Sequence, residues 1–76
     1  MTNLNDPIIV VLDTQAYDYL LNNVPDMLEA IETALASGET PGEIYTKVMV
    51  HSTYADPSTF ASKCRAAARH IQRISK

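Results

Sequence analysis

Pro57-Ser-Thr-Phe-Ala-Ser-Lys-Cys-Arg-Ala-Ala-Ala-Arg-His-Ile-Gln-Arg-Ile-Ser-Lys76 is the stretch on which the fold turns. Phe60, Cys64, Ala67, Ile71 and Ile74 recur at spacings of four, three, four and three. That is the seam of an amphipathic helix of heptad type. Arg65, Arg69, Arg73 and Lys76 fall within an arc of about 80° on the opposite face, at about 100° per residue. Asp56-Pro57 supplies a capping residue and a proline suited to a first helical position. The spacing predicts a helix from Pro57 nearly to Lys76.

Upstream, Thr40-Pro41-Gly42-Glu43 reads as a capping box, with Glu43 reaching back to Thr40. The helix it opens turns Ile44, Tyr45 and Val48 inward and ends near His51. A polar loop follows, His51 to Asp56. Before it, Pro25 opens a helix running to about Ser37, with Met27, Leu28, Ile31, Ala34 and Leu35 as its core stripe. Gly38 stops it. The Asn22-Asn23-Val24-Pro25 break separates this helix from another over 14–23, for which Asp13 is the expected N-cap. Asp6-Pro7 introduces the run Ile8-Ile9-Val10-Val11-Leu12. Its β-branched composition and length suit a strand, its caps a helix. The reading here is helix, because everything after it is helical. A short N-terminal strand over 8–12, swapped between chains, is the alternative. The expectation is an all-α fold: a small bundle of three to four short helices forming one domain over 1–76, with 1–5 a disordered end.

Size sets a further condition. The chain has 76 residues, seventeen of them Leu, Ile or Val. A domain of this length buries only about 60% of the surface its unfolded chain exposes. Such chains commonly need a disulfide, a metal or a second subunit. Cys64 is the only cysteine, so no disulfide forms within the chain. One cysteine, no long apolar run and no basic leader point to a cytoplasmic protein.

The net charge of −3 conceals an asymmetry. Residues 1–56 hold all nine carboxylates against Lys47 alone, a balance of −8; residues 57–76 hold five cations and no acid, a balance of +5. The Arg65, Arg69, Arg73 and Lys76 ridge is a candidate contact for nucleic acid or an acidic partner. The plainer readings are a solvated face, or attraction between the two halves. Pairing the helix over 41–51 with the last one as a helix-turn-helix requires a connection longer than the usual three or four residues. The acidic half, Asp13 and Glu39 included, is a candidate docking face for a basic partner.

Chemistry finds little purchase. His51, Cys64 and His70 are too widely spaced for a zinc site, so no metal is expected. Cys64 lies on the apolar seam and reads as a buried thiol. His51, Ser52 and Asp56 contain triad residue types without an oxyanion hole. Two glycines build no phosphate loop, so no cofactor is expected. No catalytic residue is assigned, and no small-molecule substrate or membrane is inferred. Ile8, Ile9 and Tyr54 are the candidate protein-interface residues. The sequence therefore points to a non-catalytic protein-interaction module, homodimeric. The alternatives are a small nucleic-acid-binding regulator using the basic face, and an acidic inhibitor or decoy.

Overall fold

A computed structural model of the protein describes residues 6–51 and 56–75. Four helices pack together, and no strand occurs among the described residues. They are α1 (Pro7–Asn23), α2 (Pro25–Ala36), α3 (Pro41–His51) and α4 (Pro57–Ile74). The all-α expectation holds.

Each helix opens on a proline, and local chemistry fixes most of the ends. Asp6 caps α1 by accepting from the Ile8 N–H at 2.9 Å. Val24 ends α1 and begins α2 by itself, because Pro25 excludes it from the helical region. Gly38, at φ 96°, closes the turn after α2 in a conformation that a Cβ would strain. The capping box at α3 forms as read: the Thr40 N–H donates to Glu43, and the Glu43 N–H donates to the Thr40 hydroxyl. Asp56 caps α4, accepting from the Thr59 N–H and from the Ser58 and Thr59 hydroxyls.

The helical reading of residues 8–12 holds and the strand alternative does not, but no break separates these residues from 14–23. Asp13 is not a cap. It lies mid-way along one 17-residue helix, with its side chain fully buried. A continuous α1 places Ile9, Asp13, Ala16 and Leu20, spaced four, three and four, along one inward line. Helical propensity tolerates the β-branched run because tertiary packing outweighs a preference of a few tenths of a kcal/mol per residue.

The core is built around α4, which packs on α1, α3 and α2. Leu20, Leu28, Ile31, Ile44, Cys64, Ala67, Ala68 and Ile71 form its centre, with Phe60, Val48 and Met27 against it. Alanines 66, 67 and 68 let neighbouring helices approach α4 closely on several sides. The seam predicted for α4 is thus packed within the chain, with Phe60 half-buried and Cys64, Ala67 and Ile71 buried; Ile74, at its end, is exposed.

Candidate functional site

Two features of α1 stand out, about a quarter turn apart around the helix. The inward one is a buried carboxylate. Asp13 has no exposed surface, and an unpaired charge there would cost several kcal/mol. Two residues of α4, one helical turn apart, answer it. Arg69 binds bidentately, Nε donating to Oδ2 at 3.1 Å and Nη2 to Oδ1 at 2.9 Å. Arg73 Nη1 donates to Oδ2 at 2.5 Å. Burial alone pushes the Asp13 carboxyl up, but the hydrogen bonds and charges of Arg69 and Arg73 outweigh it. The net effect holds Asp13 below the usual carboxylate range. Beside this clamp the Thr14 hydroxyl lies 3.4 Å from His70 Nδ1, and the Tyr17 ring tilts against the His70 ring at 4.7 Å.

The basic ridge therefore has internal tasks. Arg69 and Arg73 grip Asp13, with their side chains only 25% and 23% exposed. Arg65 lies with its guanidinium 4.7 Å from the centre of the Tyr45 ring, tying α4 to α3. Lys76 lies outside the described residues, as does Tyr54. Attraction between the acidic and basic halves, one of the readings of the charge asymmetry, operates at this clamp. Asp13 is withdrawn from the proposed acidic face, and Glu39 is ion-paired with Lys47 at 2.8 Å. Cys64 is fully buried, and burial pushes its thiol up to about 11. No group of three or more metal-ligating side chains occurs among the described residues. No described helix is long and apolar enough to cross a membrane.

The outward feature is an uncovered apolar stripe. Ile8 is 71% exposed, Val11 52%, Leu12 55% and Tyr19 43%. Ile9, the other apolar residue expected at an interface, is half-buried on the inward line. Ile8, Leu12, Gln15 and Tyr19 are spaced four, three and four and fall within an arc of about 60°. Val11 flanks them. The spacing repeats the inward line one residue earlier, so α1 carries two parallel seams and the monomer covers one. The Lys63 ammonium sits 4.8 Å over the Tyr19 ring. Leu12 and Gln15 border a shallow groove of about 360 Å³ between α1 and α4, floored by Ala16 and Ala66 and walled by Ser62 and Lys63.

Asp13 escaped the sequence reading because a carboxylate after an apolar run reads as punctuation. Its position on the inward line with Ile9, Ala16 and Leu20 was the available signal. A second, apolar cleft of about 400 Å³ lies between α2 and α3, lined by Met27, Ile31, Ala34, Ile44 and Val48 with Phe60 at its end. Its polar rim is the Glu39–Lys47 pair and His51. No protein-family model, curated protein or solved structure matches the chain.

Proposed function

We propose that this protein is a non-catalytic protein-interaction module that self-associates through the outer face of α1. The observation that carries this reading is the exposed line of Ile8, Val11, Leu12 and Tyr19. Together they form one exposed, mostly apolar strip along α1, and the largest apolar patch on a small protein is often a functional one. Removing such a strip from water is favourable in proportion to its area. A chain this short gains more from an added subunit than a large domain does. The heptad seam of α4 is packed inside the chain as far as Ile71, which leaves the outer face of α1 to support pairing.

The regulator reading draws less support. A phosphate-binding ridge needs guanidiniums presented to solvent in a row. Here Arg69 and Arg73 are held by Asp13 and Arg65 lies on Tyr45. A recognition helix also needs a free face to enter a groove, whereas α4 packs against the other three helices.

Sedimentation equilibrium tests the reading. The chain is 8.4 kDa, so a species of about 17 kDa that dissociates on dilution is expected. A monomer mass at every concentration up to several hundred micromolar, where even binding of about −5 kcal/mol would be visible, overturns it.

A further inference from the structure

We propose that the cleft between α2 and α3 binds a small uncharged amphiphile, an apolar body carrying one hydroxyl group. The inference is independent of the α1 face and of whether the chain self-associates. Three observations carry it. First, the cleft is a gap in the core and not a dent in the surface. Helices α2 and α3 both pack on α4 but meet each other least of all the packed pairs. Ile31 and Ile44, only 2% and 4% exposed, line it, and both belong to the centre of the core. Protein interiors leave few voids larger than a water molecule. Second, the gap has a cause in the sequence. Ala30 and Ala34 stand one turn apart on the wall that α2 supplies, where longer side chains would reach α3. The space is about 400 Å³. At about 30 Å³ for each water it equals roughly thirteen waters, so an organic body of about ten to fifteen non-hydrogen atoms fills it. Met27 beside the alanines is unbranched and adapts to the shape of what it touches. Concave, mostly apolar sites of this volume, with a few polar groups at one edge, are where small molecules bind.

Third, the polar edge selects the head group. Glu39, Lys47 and His51 all come from α3 and the turn before it, so the polar groups lie along one side. Glu39 and Lys47 are paired at 2.8 Å, and their charges cancel. A charged head drawn to one is repelled by the other, and gives up hydration that it does not regain. Glu39 Oε1 is shut off from water and, despite the nearby ammonium, accepts no hydrogen bond among the described residues. A buried acceptor in that state is the exception in folded proteins. A hydroxyl suits both partners: it donates to the Glu39 carboxylate and accepts from the Lys47 ammonium, which has three N–H donors. Access requires only a shift of the Lys47 side chain, which is 63% exposed.

Titration of the isotope-labelled chain with para-phenylphenol, followed by NMR, tests the site. Saturable binding with a dissociation constant of about 100 micromolar is expected for a probe of this size. The largest shifts are expected at the methyl groups of Ile31, Ala34, Ile44 and Val48. Para-phenylbenzoate and para-phenylbenzylammonium, which exchange the hydroxyl for a negative and a positive head, should bind more weakly by about fivefold or more. Ala34→Leu fills the hollow and should weaken para-phenylphenol binding by about tenfold or more. Shifts centred on Ile8 and Leu12, no saturable binding up to the solubility limit, or a folded Ala34→Leu chain that binds as wild type overturns the site. Equal or tighter binding of either charged compound overturns the uncharged head. Where Ala34→Leu does not fold, the wild-type shift map decides alone. None of these outcomes bears on the mass found by sedimentation, so this site and the self-association stand or fall separately.

Discussion

Asp13 is the residue whose replacement has the most to reveal. Its carboxylate is fully buried, while the two guanidiniums that hold it keep part of their surface in water. Asp13→Ala should therefore destabilise the protein by about 2–4 kcal/mol, measured by urea denaturation, since both arginines lose their counter-charge. Replacing Asp13, Arg69 and Arg73 together by Leu, Met and Met should cost far less, because no charge is then left without a mate. The same residue sets the acid limit. Its folded pKa lies below the ordinary 3.8, so its contribution is complete above that value. It is lost as pH falls below 3.8 through the folded pKa. Asp56, lowered by hydrogen bonds from Thr59 and Ser58, acts in the same direction. Acid titration of Asp13→Asn should show a shallower loss than wild type. Cys64 acts at the other extreme: its thiol is raised from 9.0 to about 11 by burial. That contribution is full below pH 9 and disappears as pH rises through about 11. Cys64→Ala should remove this alkaline dependence, read as thermal midpoint against pH.

At the scale of the elements, the ends were legible and the middle of α1 was not. Pro25, Gly38, the Thr40–Glu43 box and Asp56 announce boundaries through chemistry within a few residues, which a sequence displays directly. Thr40→Ala should cost about 1 kcal/mol by removing the hydroxyl that accepts from the Glu43 N–H. A comparable loss is expected for Gly38→Ala. Nothing stands within 4 Å of the added Cβ, but the backbone at φ 96° disfavours it. Both are measured by thermal or urea denaturation. Asp13 differs because its partners lie 56 and 60 residues away. No local pattern couples positions so distant, and a lone carboxylate after five apolar residues resembles a helix start. The basic residues of α4 line up by their spacing alone. What they face depends on where α1 packs, which is a tertiary fact.

For the whole molecule, charge and packing tell one story. The acidic first three helices and the basic last one meet at a buried clamp, which salt screens far less than a surface pair. Stability should thus fall only slightly between low and moderate ionic strength, followed by the urea midpoint. The candidate docking face was half legible: Ile8 was named from its apolar run, while Leu12 and Tyr19 emerge only once α1 is continuous and its other seam is buried. Every helix leans on α4, and α4 is the last of the four in chain order. A ribosome therefore releases α1, α2 and α3 before the surface they share exists. Short helices without a packing partner are marginal in water. The nascent chain should stay largely unstructured until α4 has left the exit tunnel, and then fold abruptly as one unit.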